Sequence, residues 1–266
     1  MTFNAQQREE YERFGITRIP GALAKTHLDE ISDCVWDTLA RRYQVRRDEP
    51  DGWKALRATK TEDLPESLSF DQIGAPVVCG ALDCLLGSGN WQRPKRWSQL
   101  LVAFPESRER WDVPHKSWHL DFRASRALGG NFAVRVFTCL ANLQPGGGGT
   151  VVVAGSHRLV EVLLRRTSAN LHSADVRKLL ISTYPWIKAL CSRDRKIDRV
   201  QTFMKSGAVL DGVEVRVAEI AGAAGDVFLV HPWILHAAAR NCAAVPRLVL
   251  STTVFRRGVT ESDLYG

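Results

Sequence analysis

The chain has 266 residues, of which 45% are hydrophobic and 24% charged, and its formal net charge is +7. This size and composition suit one large domain or two small ones with a full core, and they exclude a disordered or fibrous chain. The first residues are polar and no apolar run is long enough to cross a bilayer, so we expect a soluble, cytoplasmic protein without a membrane partner. Six scattered cysteines without a C-x-x-C pair are predicted to be reduced thiols.

Positive charge is concentrated between Arg158 and Lys205, where eleven Lys and Arg stand against four Asp and Glu. Such a segment attracts an anionic substrate, a nucleic acid or an acidic surface, or else forms a solvated face of surface helices. Aromatic side chains that could stack on bases are sparse in it, so a nucleic-acid partner is not expected.

The first part of the chain, residues 1–96, is predicted to be mostly helical with one early strand. Apolar residues recur at helical spacing from Leu28 to Leu39, behind Thr26 as a candidate N-cap. The apolar run 71–87 is predicted to be a second, buried helix. These helices would cover one face of the sheet that follows.

The region 97–256 consists of short β-rich runs separated by Gly, Pro and Asn, which is typical of an antiparallel sandwich or barrel. QPGGGGT, residues 144–150, is predicted to be a turn between strands, because it lacks the Gly-Lys-Ser/Thr ending of a phosphate loop. Residues of about 158–205 contain helical stretches and are predicted to form a basic lobe inserted between strands. No boundary is sharp enough to divide the chain, so a single domain over 1–266 is expected.

SWHLDF, residues 117–122, contains a His-x-Asp pair. In a strand, His119 and Asp121 would point to the same face and present an imidazole beside a carboxylate. Taken alone, a His-x-Asp pair is a weak signal, since a hydrogen-bonded pair is its usual explanation. Downstream, however, His236 offers a second imidazole, and two histidines with one carboxylate suit Fe(II) while leaving positions open for a cosubstrate and O₂.

Arg247 follows His236 by eleven residues, in the next strand. A keto acid that chelates iron through its 1-carboxylate and 2-oxo group leaves a second carboxylate, for which a guanidinium is the natural partner. Arg247 fits that role, although a surface or interface arginine is the alternative.

The order His119-x-Asp121, GGGGTVVVAGSHR, GDVFLVHPWILH and Arg247 resembles the phytanoyl-CoA dioxygenase family of Fe(II)/2-oxoglutarate-dependent oxygenases. FGITRIPGALAKTHLDEI also resembles that family's N-terminal strand and helix, so the resemblance covers most of the chain. It implies a mainly β fold with flanking helices around a double-stranded β-helix core, of the jelly-roll and cupin-like type.

The same resemblance implies that His119, Asp121 and His236 are the iron ligands and that Arg247 holds the distal carboxylate of 2-oxoglutarate. Phe137 stands where the family often has an aromatic or apolar residue against the cosubstrate. In some members a serine that touches 2-oxoglutarate follows the distal histidine by two residues, where this chain has Ala238.

Four other histidines are weaker candidates for the metal site. His231 precedes a proline and lacks the eleven-residue spacing to the arginine, so His236 is preferred. His157 is expected to be structural, and His115 and His172 are expected to be ordinary surface residues or neighbours of the site.

We therefore predict an enzyme that hydroxylates an unactivated carbon of a small metabolite and releases succinate and CO₂. The metabolite would be anionic if the basic lobe covers the site. Related iron halogenases have a small residue in place of the carboxylate, so Asp121 favours hydroxylation or another oxidation such as desaturation.

Two other classes of protein remain open. A cupin-like metal enzyme that does not use 2-oxoglutarate predicts that Arg247 points away from the metal. A non-catalytic β-helix binding protein predicts that His119, Asp121 and His236 do not converge. The sequence makes no prediction of oligomeric state.

Overall fold

The protein is mainly β with flanking helices, and its core is a double-stranded β-helix, as predicted. The structure is a computed structural model, which describes residues 2–55, 70–95, 97, 99–106, 110–167 and 170–265. Parts of the predicted N-terminal flank (56–69) and of the predicted lobe (168–169) lie outside these described residues.

The strands of the described residues belong to two antiparallel sheets. They are β1 (Ile16–Ile19), β2 (Gln99–Ala103), β3 (Ala133–Cys139), β4 (Thr150–Ala154), β5 (Ala208–Leu210), β6 (Val213–Glu219), β7 (Val227–Val230), β8 (His236–Ala238) and β9 (Arg247–Phe255). One sheet has the order β1-β7-β3-β9-β2 and the other has the order β5-β6-β4-β8. The early strand β1 therefore joins the core sheet, although it precedes the predicted β region.

Helices lie before, between and after these strands. They are α1 (Ala5–Phe14), α2 (Lys25–Tyr43), α3 (Pro76–Leu86), α4 (Ser156–Arg166), α5 (Ser173–Thr183), α6 (Pro185–Leu190) and α7 (Glu261–Tyr265). Two short 3₁₀-helices span Pro50–Ala55 and Asp71–Gly74, and a π-helix spans Val200–Ser206. The predicted lobe thus contains α4 to α6 and the π-helix, and it is inserted between β4 and β5.

The predicted N-cap of α2 is wrong. The chain is still extended at Ala24, with φ −67° and ψ 148°, and the helix begins at the next residue. Thr26 therefore lies inside the first turn. The predicted apolar stripe is correct, because its residues from Leu28 to Leu39 are buried.

Strand alternation divides the core into layers. In β9, Leu248 and Leu250 pack with α2 and α3 on the outer face of the larger sheet, while Val249 faces the space between the sheets. In β4, Val151 and Val153 pack against the inserted helices, while Val152 faces inward. The same alternation turns polar side chains of several strands into the barrel.

SWHLDF is not a strand, contrary to the prediction. Ser117 has φ 63°, in the left-handed region, and Asp121 lies in a bend, so the extended path is interrupted on both sides of His119. Within this stretch His119 alone forms a β-bridge: its backbone N–H donates to the carbonyl of His236 at 2.9 Å, and its carbonyl accepts from the N–H of His236 at 3.0 Å. Backbone pairing with β8, rather than the period of a strand, brings the two histidines together.

Candidate metal centre

His119, Asp121 and His236 converge at the mouth of the barrel, and one donor atom of each lies within 4.8 Å of the others. Nε2 of His119 is 3.6 Å from Oδ1 of Asp121, and Nε2 of His236 is 3.5 Å from Oδ2. Two imidazole nitrogens and a carboxylate, gathered in this way, are the donor set of a facial Fe(II) site. Convergence also counts against the non-catalytic alternative.

Each of the two histidine rings is oriented by a local hydrogen bond of the same type. Nδ1 of His119 lies 2.7 Å from the carbonyl oxygen of Ser117, and Nδ1 of His236 lies 3.1 Å from that of Ile234. A carbonyl only accepts, so each Nδ1 carries the proton and each Nε2 keeps its lone pair. The donor atoms that face Asp121 are therefore the ones free to bind a cation.

The site is open on one side and closed on the other. The side chain of His119 is 52% exposed, whereas that of His236 is 9% exposed. Burial lowers the pKa of His236 to about 4, and the nearby Asp121 carboxylate offsets part of that effect. A neutral imidazole is the form that binds metal, so His236 needs no proton release at neutral pH.

Arg135 also reaches the site, and sequence reasoning missed it. Its Nη1 contacts the Asp121 carboxylate and lies 3.4 Å from Nε2 of His236. A cationic group thus faces the donor atoms of both residues, which shows that the pocket suits a positive charge. The signal in the sequence was its position in β3, two residues before Phe137 and on the same face.

Phe137 and Arg247 lie in the barrel interior. Phe137 is buried in the cluster between the sheets, and the guanidinium carbon of Arg135 is 5.1 Å from its ring centroid. Arg247 is buried, with Nη1 donating to the carbonyl of Gly148 at 2.6 Å. Its Nε has no hydrogen-bond partner, and no carboxylate oxygen lies within 4.0 Å of its guanidinium, among the described residues.

Burial lowers the pKa of Arg247 to about 10, and the nearby Cys139 and Glu219 offset part of that effect. The carboxylate of Glu219 is itself held by the backbone N–H groups of Gly146 and Gly149, at 2.8 and 3.1 Å. A buried guanidinium without an ion pair is costly. The residues present therefore fit an anionic group that enters the barrel beside Arg247.

The remaining histidines lie outside the metal group. Nδ1 of His231 accepts from the backbone N–H of Trp233 at 3.1 Å, and its ring centroid is 4.6 Å from that of His157. His157 is buried, with Nε2 3.1 Å from the carbonyl of Glu12. His115 lies in a cleft next to the site, and His172 is exposed.

A cleft of about 640 Å³ adjoins the site, and its lining includes Ser117 and Ala238, each two residues from a candidate ligand histidine. The walls come from the loop 110–117, from residues 193–199 of the inserted lobe and from the end of β8. Six basic side chains and two acidic ones line it. The basic ones are Arg110, Lys116, Arg193, Arg195, Arg199 and Arg240, and the acidic ones are Asp112 and Asp194.

The sequence model of the phytanoyl-CoA dioxygenase family matches residues 11–249. The chain belongs to this family. The protein is therefore an Fe(II)/2-oxoglutarate-dependent oxygenase, and Fe(II) and 2-oxoglutarate are its cofactors. A comparison with curated proteins found no match.

Solved structures share the fold of this family member at low identity. AviO1 from Streptomyces viridochromogenes Tue57 has a TM-score of 0.57 at 15% identity, over 98% of both chains. The non-heme α-ketoglutarate-dependent carbocyclase SnoK from nogalamycin biosynthesis has a TM-score of 0.56 at 15% identity, over 97% of this chain and 88% of its own. HygX from Streptomyces hygroscopicus, solved with nickel and 2-oxoglutarate bound, has a TM-score of 0.52 at 13% identity, over 98% and 90%.

Among the described residues, no helix combines the length and the apolar content that crossing a bilayer requires.

Proposed function

We propose that this oxygenase hydroxylates an unactivated carbon of a small anionic metabolite, with His119, Asp121 and His236 as the Fe(II) ligands. The convergence of these three side chains, with both Nδ1 atoms bonded to carbonyls, carries the proposal. When bound, Fe(II) and 2-oxoglutarate supply the O₂-dependent oxidation that releases succinate and CO₂ and delivers oxygen to the substrate carbon.

The protein's part in this chemistry is to bind and orient. The two carbonyl hydrogen bonds fix the imidazole rings, so the ligand atoms need little rearrangement to bind the metal. Arg247 would bind the distal carboxylate of 2-oxoglutarate, which would give its buried guanidinium an anionic partner. Phe137 would pack against the cosubstrate and exclude water from that side.

The anionic substrate class is supported by the basic cleft. Arg110, Lys116, Arg193 and Arg195 are exposed there, without an ion pair or hydrogen bond among the described residues. A cleft lined by one sign of charge raises the local concentration of ligands of the opposite sign. A volume of about 640 Å³ suits a small metabolite rather than a polymer.

The metal assignment is tested by anaerobic visible absorption of the purified protein on adding Fe(II) and then 2-oxoglutarate. We expect a weak charge-transfer band that needs both additions and is lost in His236→Ala. His231→Ala is the matched control, because that histidine lies outside the metal group. A band of equal intensity in His236→Ala, or no band in folded wild type that binds iron, would contradict the proposal.

The substrate class is tested by succinate release with matched pairs of metabolites, each an anionic compound and its neutral ester. We expect the anionic members to stimulate succinate release, and Arg193→Glu/Arg195→Glu to raise their KM at least about tenfold. The background succinate release without substrate should be unchanged in this variant. Equal stimulation by neutral esters would reject the anionic class while leaving the metal assignment standing.

A further inference from the structure

Arg135 carries a positive charge into the group of proposed metal ligands. Its side chain leaves β3 toward the barrel interior and is only 13% exposed. There its Nη1 lies against the carboxylate of Asp121 and 3.4 Å from Nε2 of His236. The guanidinium and a bound metal would therefore compete for the same two ligand residues.

The guanidinium is also held from the opposite side. Its Nη2 donates to Oγ of Ser251 at 3.2 Å, and its carbon lies 5.1 Å from the ring centroid of Phe137. Phe137 and Ser251 are paired residues of β3 and β9, so the sheet fixes both contacts. The side chain of Arg135 is thus held inside the barrel by contacts with two strands.

The charges of the site do not balance with the metal alone. A divalent cation would lie beside the guanidinium with Asp121 as the only carboxylate of the group, and like charges at this short distance repel. 2-Oxoglutarate brings two carboxylates, one for the buried Arg247 and one that stays next to the metal. The second carboxylate is a natural partner for a planar guanidinium.

We propose that Arg135 pairs with Asp121 while the metal is absent and with the metal-proximal carboxylate of 2-oxoglutarate in the loaded enzyme. This inference rests on the proposed function, in which Asp121 and His236 are metal ligands. It follows that the metal alone binds weakly, because the guanidinium competes for Asp121, and that 2-oxoglutarate removes this competition. Such coupling is reciprocal, so the metal raises the affinity for 2-oxoglutarate by the same factor.

The test measures binding rather than turnover. Mn(II) is titrated into metal-free protein with and without 2-oxoglutarate, and the free ion is followed by its electron paramagnetic resonance signal. Arg135→Met should bind Mn(II) alone about tenfold more tightly than wild type. At saturating Mn(II), the same variant should bind isotope-labelled 2-oxoglutarate about tenfold more weakly in equilibrium dialysis. Arg257→Met, an exposed arginine elsewhere, is the matched control and should match wild type in both titrations.

Asp121→Ala separates this inference from the proposed function. If Asp121→Ala binds Mn(II) as tightly as wild type, the ligand assignment is wrong. If Asp121→Ala loses Mn(II) but Arg135→Met binds both ligands as wild type does, the role of Arg135 alone is overturned. Should Arg135→Met fail to fold, Arg135→Lys decides, because it keeps the charge without the planar fork. It should leave Mn(II) binding near wild type and weaken 2-oxoglutarate binding, and unchanged 2-oxoglutarate binding would overturn the role.

Discussion

At the scale of single residues, the site depends on which atom of each side chain is left free. His119 and His236 each bind a carbonyl two residues earlier through Nδ1, which leaves Nε2 toward Asp121. Among the described residues the buried Nε of Arg247 has no hydrogen-bond partner, so its N–H is available to an anion. These are local arrangements that prepare the side chains before any ligand arrives.

Arg247→Lys should raise the Kd of 2-oxoglutarate about tenfold or more, because an ammonium cannot reproduce the planar fork that binds a carboxylate through two hydrogen bonds. The measurement is a titration of 2-oxoglutarate into the Fe(II)-loaded, anaerobic protein, followed by the charge-transfer band. Arg257→Lys serves as the control at an exposed position. An unchanged Kd in Arg247→Lys would show that another residue binds the distal carboxylate.

The sequence predicted the convergence of His119, Asp121 and His236 from residue types and their order. The position of Arg135 two residues before Phe137 indicates a shared face of the strand, but it does not reveal the contacts of Arg135 with Asp121 and Ser251. Two of the contacts of Arg135, Asp121 and Ser251, come from segments 14 and 116 residues away. Only the antiparallel pairing of β3 with β9 and the path of the His119 segment bring them to one place.

At the scale of elements, the buried Arg199 links the inserted lobe by hydrogen bonds to the loop that leads to His119. Arg199 donates to the carbonyls of Val113 and Pro114 at 2.8 and 2.9 Å, and to those of Leu190 and Ser192 at 2.6 and 3.1 Å. The first pair belongs to the loop and the second to the lobe. Part of the basic excess predicted to attract an anion therefore has a structural role, and Arg199 forms part of the cleft's frame.

Arg199→Met should lower the free energy of unfolding by about 2–3 kcal/mol, because the carbonyls of Val113, Leu190 and Ser192 lose this donor. Urea unfolding measures this change. Arg193→Met, on the exposed side of the same segment, should change stability by less than about 0.5 kcal/mol. Equal effects of the two substitutions would mean that the carbonyl contacts of Arg199 do not hold the lobe in place.

At the scale of the whole molecule, helices cover the outer faces of both sheets, and a pair of buried histidines joins these layers. His157, in α4, lies 3.1 Å through Nε2 from the carbonyl of Glu12 in α1, and its ring is 4.6 Å from that of His231. Burial lowers the pKa of His157 to about 4 and the pKa of His231 well below its usual value of 6.5. Both are therefore neutral in the folded protein at neutral pH.

Stability of the metal-free protein should fall as the pH is lowered below 6.5. The unfolded chain protonates these histidines near pH 6.5, whereas folded His157 does so only near pH 4, so unfolding takes up protons in that window. Their contribution is fully present above pH 6.5 and is lost by at most about 1.4 kcal/mol per pH unit for each histidine. Urea unfolding between pH 7 and pH 5 should give a shallower slope for His157→Gln, and an unchanged slope for the exposed His27→Gln. The same slope in both variants would contradict this assignment.

The fold family, most of the strands and the three side chains proposed as metal ligands were predictable from the amino-acid sequence. These features follow from residue types and from their spacing along the chain, and both can be read from the amino-acid sequence. Three features emerge only in the folded chain: His119 forms a bridge rather than part of a strand, Arg135 faces the proposed ligands, and the basic cleft combines residues 110–117, 193–199 and Arg240. Each of these depends on contacts between segments far apart in sequence, and such contacts are fixed by strand pairing and packing rather than by local composition.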